Sequence, residues 1–333
     1  MANLHTRFFG LDLKSPVIIG SSGLTSSVEK VKTFEENGAG AIVLKSVFEE
    51  EIYNEFQFEL KNQDVTYYNQ EYLDYFDYEI KNNKVKEYLD HIKNIKDAGV
   101  SIPIVASINC TSGNEWIFFA NKLQQAGIDA LELNLFVLPS NFDRTTEQIH
   151  QYYFNVIRKV LSEVTIPVTI KISPYFSDLA LMIKQLSETN LAGITLFNRF
   201  YNIDIDIDKK ELVPAKILSH PFEYLQSLRW IGIMSGRVQC NLAASTGIHD
   251  YQTAIKMLMA GANAVQIVSG VYRHGFELVK EITTGISNWM DVNGYQNLNE
   301  IIGVANMSKV ANPAMYERVQ FMKYFGEFTD DSE

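Results

Sequence analysis

Cysteine is scarce. The chain has two, Cys110 and Cys240, in 333 residues. Two thiols cannot build a disulfide framework, and they are too few to ligate an iron–sulfur cluster. A reducing cytoplasmic compartment is therefore expected. The six histidines are scattered and none has zinc-ligand spacing, so no metal site is expected. Long apolar runs are missing as well. No stretch approaches the ~18 residues of a membrane helix. The opening MANLHTRFFG lacks the apolar core of a secretory signal. Basic charge is in deficit: 29 Lys and Arg face 40 Asp and Glu, a net charge of -11. Phosphate backbones bind basic surfaces, so a nucleic-acid partner is not expected.

What the chain does have is apolar material for a large core, 46% of its residues, in a repeating arrangement. Short apolar runs alternate with longer amphipathic stretches. The runs are PVIIGSS (16–22), AIVLKS (41–46), PIVASIN (103–109), ALELNLF (130–136), PVTIKIS (167–173), GITLFNR (193–199), NLAAST (241–246) and AVQIVSG (264–270). The helical stretches include 26–37, 114–125, 145–163, 178–189, 250–259 and 277–290. Glycines such as Gly38, Gly127 and Gly261 hand several helices to the next strand, as a left-handed residue after a helix requires. Eight successive strand–helix units predict an α/β protein with a (β/α)8 TIM barrel, with an open doubly wound sheet as the alternative. No composition break marks a second domain, so residues 1–333 are expected to form one barrel domain. Two segments interrupt the repeat, about 47–83 and about 200–240. Both follow strands, which places them as long loops over the C-terminal face. The tail, about 292–333, ends in EFTDDSE and is expected to fray.

Strand side chains alternate between faces. In ALELNLF the leucines 131, 133 and 135 share the helix-facing side, which turns Glu132 and Asn134 inward. The same parity sends Lys45, Asn109 and Lys171 inward, and Asn198 is the late polar residue of its strand. Five polar groups therefore converge at the strand ends. Buried without partners they would cost several kcal/mol each, roughly. They make either a mutually bonded polar plug or a cradle for a polar planar ligand. The last two units end in small residues, Ser245-Thr246-Gly247 and Val268-Ser269-Gly270. The turns after strands seven and eight of a barrel commonly hold phosphate. Amides around a ring and phosphate at one edge fit flavin mononucleotide, FMN.

With these motifs the chain resembles the dihydroorotate dehydrogenase family, the FMN-dependent barrel flavoproteins of pyrimidine synthesis, and the soluble class in particular. The likeness runs from about Phe8 to Gly294. It rests on IIGSSGLT (18–25), KS (45–46), SIN (107–109), ELNL (132–135), IKISPYFSD (170–178), STG (245–247) and GANAVQIVSGVYRHG (261–275). The resemblance implies that Ser21 and Ser22 border the flavin through their backbone, and that Lys45, beside Ser46, approaches flavin and substrate. It implies that Asn109 and Asn134 bond the ring or substrate, that Lys171 lies near the ring's N1, and that Asn198 binds substrate or flavin. Lys45, Asn134 and Asn198 are thus the expected substrate contacts. Thr246, Gly247, Val268, Ser269 and Gly270, with Ser245, match the phosphate site. A homodimer is implied in the same way.

The departures concern the chemistry. The family places a Cys or Ser base in the loop after strand four, and alignment on Asn134 puts Val137 there. The family's Asn-x-Met-Gly stretch is missing from TYYNQEYLDYFDY (66–78), where Asn69 is the nearby asparagine, and the glycines of its later loop are missing from AKILSHPFEY (215–224). Lys45, Cys110, Ser140 and Ser112 are the remaining candidates for a catalytic base. His249 and His274 read as helix caps or surface groups. The activity expected is an FMN-dependent dehydrogenase acting on a CH–CH bond, dihydroorotate to orotate. The alternatives are a flavoprotein with another substrate, or a non-catalytic flavin-binding relative.

Overall fold

The computed structural model describes residues 1–50, 70–110, 113–200 and 202–317. An antiparallel hairpin opens it, β1 (Thr6–Phe8) and β2 (Leu11–Leu13). There follow β3 (Val17–Ile19), α1 (Val28–Glu36), β4 (Ala41–Val43), a short β5 (Val47–Phe48), α2 (Gln70–Asp97), β6 (Ile104–Asn109) and α3 (Gly113–Gln125). The middle of the chain supplies β7 (Ala130–Asn134), α4 (Thr146–Glu163), β8 (Val168–Ile172), α5 (Leu179–Ser187) and β9 (Gly193–Leu196). After an exposed hairpin, β10 (Ile203–Asp206) and β11 (Glu211–Pro214), come α6 (Tyr224–Met234), β12 (Asn241–Ser245), α7 (Tyr251–Ala260), β13 (Ala264–Ile267), α8 (Ser269–His274) and α9 (Leu278–Val292).

Eight parallel strands close on themselves in the order β3, β4, β6, β7, β8, β9, β12, β13, and β13 pairs back onto β3. The expected (β/α)8 barrel is the observed fold. β5 extends the sheet at the far end of β6, with Val47 opposite Ile108. Helix starts follow local chemistry. Thr145 and Gln148 form a reciprocal capping box at α4. Asp250 accepts the Thr253 N–H at 2.7 Å to open α7.

Two apolar layers result from strand parity. Ile42, Leu44, Ile104, Ile108, Leu131, Leu133, Ile170 and Ile172 all join the outer core between strands and helices. Inside the barrel, Phe8, Phe9 and Leu13 of the opening hairpin meet Ile18, Val43, Val105 and four alanines, Ala41, Ala130, Ala243 and Ala264. The alanines leave room for the aromatic rings that plug the barrel's N-terminal end. Gly193 does the same by close approach, since a Cβ there would lie 2.6 Å from the Phe8 ring.

Three expectations change. The excursion expected over 200–240 is shorter, because α6 is a barrel helix that buries Ser227, Ile231, Gly232 and Met234. Gly232 lets this helix approach the tail, since the Tyr316 ring packs so closely that a Cβ would sit 2.2 Å from it. The tail does not fray from residue 292. Leu298 and Ile301 are fully buried. Gly303 and Ala305 donate their N–H groups to the Leu258 and Met259 carbonyls at 2.9 and 2.8 Å. These are end carbonyls of α7, which lack partners within the helix. In the 47–83 excursion, α2 already begins at Gln70, and residues 51–69 lie outside the described residues, Asn69 among them. Residues 318–333 lie outside them as well. Among the described residues, no helix is long and apolar enough to cross a membrane.

Phe8 is fully buried in the barrel floor. Phe8→Ala is expected to destabilise the protein by about 3–5 kcal/mol. Exposed Phe142→Ala should change stability by no more than about 0.5 kcal/mol. Urea unfolding of both variants checks this.

Candidate functional site

Above the apolar floor the inward residues turn polar. Ser107, Glu132, Thr169, Thr195 and Gln266 are all buried, at 2% exposure or less. Over them opens a cavity of about 760 Å³ at the C-terminal ends of the strands, within the usual range for small-molecule and cofactor sites. Glu132 and Gln266 form part of its lining.

Register explains the arrangement on one side. β7 and β8 place Asn134 opposite Lys171, and β8 and β9 place Lys171 opposite Thr195. The Asn198 amide donates to Asn134 Oδ1 at 2.6 Å, and Lys171 Nζ donates to Gln266 Oε1 at 2.9 Å. The polar groups therefore satisfy one another in part while still bordering a cavity. Burial lowers the Lys171 pKa, and the Glu132 carboxylate works against that shift. Glu132 keeps one oxygen, Oε1, without a hydrogen-bond partner.

A serine chain forms the opposite edge. Ser46 Oγ lies 2.7 Å from Ser107 Oγ and 3.0 Å from Ser21 Oγ, and the Ser46 N–H donates to Ser21 Oγ. Ser22 and Lys45 line the same edge. The Lys45 backbone N–H donates to Thr25 Oγ1 at 3.0 Å.

The third edge is built by the turns after β12 and β13. Thr246 and Gly247 both have positive φ, +80° and +75°. Gly247 is required there because a Cβ would fall 2.2 Å from the Tyr224 backbone nitrogen. Ser245, Thr246, Gly247, Val268 and Ser269 all line the cavity. Gly270, expected at the phosphate site with them, is not among the lining residues. It lies behind, where a Cβ would crowd Leu278 and the Ile248 carbonyl.

Two residues at this edge escaped the sequence reading. Ser219 ties the turns together: its Oγ accepts the Gly247 N–H at 3.3 Å, and its own N–H donates to Ser269 Oγ at 2.9 Å. His249 is no surface group or cap. It is buried, its Nε2 lies 3.1 Å from Ser219 Oγ, and its Nδ1 has no partner. A serine in an irregular loop and a histidine before a helix carry no sequence signal for such a contact.

Of the candidate bases, Lys45 borders the cavity. Cys110 does not. Asn109 points inward, so its neighbour turns outward by parity and is buried in the outer core. Ser140 is exposed on the loop after β7, away from the cavity lining. Ser112 lies outside the described residues. Val137 also faces away, packed on the outer core with its N–H donated to the Tyr153 hydroxyl at 3.2 Å. Its neighbour Phe136 lines the cavity instead and stacks on Phe200, centroids 4.7 Å apart, with Tyr175 edge-on to both. Arg199, at the same rim, is held by Glu223 through two contacts, at 2.8 and 3.2 Å.

The sequence profile described as "Dihydroorotate dehydrogenase" matches residues 3–290. The chain belongs to the dihydroorotate dehydrogenase family. The family's span takes in every barrel strand and each of the three edges. The chain is 26% identical over 313 residues to the dihydroorotate dehydrogenase B (NAD(+)) catalytic subunit of Pyrococcus abyssi, covering 91% of this chain and 99% of that protein. It is 26% identical over 314 residues to the protein of the same name from Methanocaldococcus jannaschii, covering 91% and 98%. It is also similar, at 22% over 327 residues, to the NAD-dependent dihydropyrimidine dehydrogenase subunit PreA of Escherichia coli, covering 91% and 77%.

Burial, with Arg273 and His274 nearby, holds the His249 imidazole below the ordinary histidine range. The folded protein disfavours the charged form, whereas the unfolded chain protonates it near pH 6.5, roughly. Around that pH the unfolded state binds the proton more readily than the folded state, so stability falls on acidification. Thermal unfolding midpoints should drop between about pH 7.5 and about pH 5.5, and less steeply in His249→Gln. Equal slopes in the two proteins would contradict this assignment.

Proposed function

We propose that the chain is an FMN-dependent oxidoreductase acting on a CH–CH bond of a dihydropyrimidine-like ring, with dihydroorotate to orotate as the reference reaction. One observation carries the reading. A single cavity has amides and a buried ammonium on one side and small-residue turns of the last two strands on another. The donor set suits FMN: Asn134, Asn198 and Lys171 offer planar hydrogen bonding and positive charge. Ser245, Thr246, Gly247, Val268 and Ser269 would hold the phosphate. Glu132 Oε1, buried and unpartnered, leaves polar capacity beneath the site. Bound FMN would supply hydride chemistry that no side chain can perform.

The protein's own groups would do the rest. Lys171 would stabilise negative charge developing at its edge of the cavity. Asn109, Asn134 and Asn198 would orient ring and substrate, which is the proximity contribution to the rate. Ser21, Ser22 and Ser46 would border the ring, and Lys45 would contact both ring and substrate. Lys45 is also the candidate base that borders the cavity. The names of the relatives as dihydroorotate dehydrogenases support this activity. A soluble cytoplasmic homodimer is the form proposed with it.

The outer wall favours a second reading, a flavoprotein of the same kind acting on another substrate. Where the family sets its base, this chain turns a valine outward and presents the Phe136–Phe200–Tyr175 cluster at the rim. That wall suits an uncharged planar group better than a carboxylate, because Arg199 is already engaged by Glu223.

Purified protein should show flavin absorption after incubation with FMN, and anaerobic dihydroorotate should bleach it. Bleaching by another dihydropyrimidine alone selects the second reading, and a protein that takes up no FMN overturns both. Lys171→Met is expected to slow flavin reduction on the order of 10²-fold, as loss of one preorganised charge does. Stopped-flow absorbance measures it.

A further inference from the structure

Gln266 stands out among the buried polar residues. It sits on β13, yet its side chain crosses the barrel to residues of β7, β8 and β9. Its Nε2 donates to Glu132 Oε2 at 2.6 Å and to Thr195 Oγ1 at 3.3 Å. Its Oε1 accepts from Lys171 Nζ at 2.9 Å. Thr195 completes the ring by donating to the same Glu132 oxygen at 3.3 Å.

The two ends of an amide have nearly the same outline and opposite polarity. Here the neighbours decide between them. The Glu132 carboxylate only accepts and the Lys171 ammonium only donates. A flipped amide would set oxygen against carboxylate and NH2 against ammonium, two repulsions in a water-poor interior. The orientation therefore has one solution. No ion pair within 4 Å joins the fully buried Glu132 to Lys171 among the described residues, and the Gln266 amide is the group that hydrogen-bonds to both.

Lysine is a long, flexible stem with a rotatable ammonium. Gln266 is the acceptor that fixes this one, and it leaves the remaining N–H donors of Nζ for the cavity. We infer that Gln266 is a positioning residue: locked in a single orientation by Glu132, it holds the Lys171 ammonium at the cavity edge where negative charge develops. The consequence for the flavin rests on the proposed function, whereas the positioning of the lysine does not.

Removing one member of a buried charged pair can unfold a protein. The test therefore uses the volume-conserving Gln266→Met and the double exchange Gln266→Glu with Glu132→Gln, which keeps one carboxylate and one amide in contact. Two quantities are measured. The first is the NMR signal of the Lys171 side chain in protein stripped of cofactor. The second is the ratio of affinities for reduced and oxidised FMN. Gln266→Met should move the lysine signal and cost about tenfold in preference for reduced FMN, the size expected when a nearby charge is displaced. The double exchange should recover most of that preference. A purely structural role predicts lower melting temperatures in both variants and an unchanged ratio. In a wild-type protein that binds FMN, an unchanged ratio overturns the proposal. In one that binds none, the proposed function falls by itself, and an unmoved Lys171 signal then overturns the positioning as well.

Discussion

A carboxylate and an ammonium are buried at the same level of this barrel, and much of the architecture serves to keep them there. Glu132 is fully buried and Lys171 nearly so. Isolated charges in such a place would neutralise or force the chain open. They persist because Gln266 and Thr195 link them through hydrogen bonds, each made by a group whose polarity matches its neighbour. Parallel strand register supplies the geometry, since it sets Asn134, Lys171 and Thr195 side by side on β7, β8 and β9.

The layers on either side of that level have complementary roles. Below it, the β1–β2 hairpin fills the barrel with Phe8, Phe9 and Leu13, so the charged layer rests on a packed apolar floor. Above it, each edge of the cavity is anchored from a different direction. The serine chain joins the β3 and β4 ends to Ser107 of β6. Ser219 stitches the last two turns together. Phe136, Phe200 and Tyr175 pack against one another at the rim.

Much of the barrel was legible from periodicity. Every expected strand is present, because each run ends in a turn and shows the two-residue alternation of a strand with one side toward helices and the other inward. That parity placed Lys45, Asn109, Asn134 and Lys171 on the inner face. The same rule, applied one residue further, already turned Cys110 away. Other features carried no periodic signal. Gly232 in α6 is required by the Tyr316 ring, a contact between segments far apart in the chain. The segment after residue 292 looked free because its anchoring bonds, from Gly303 and Ala305, run to the α7 carbonyls of a distant element.

Alternation of side chains and the order of strands and helices are local properties, and the sequence alone determined them: eight strand–helix units, the two faces of each strand, and the polar groups at one end, whereas closure of the sheet is a tertiary property. Which of those groups meet was decided only in the tertiary structure. Gln266 reaches Glu132 across 134 positions of chain and Lys171 across 95. The orientation of its amide depends on both charges at once. No window of sequence contains that information, because the contact exists only after the barrel closes.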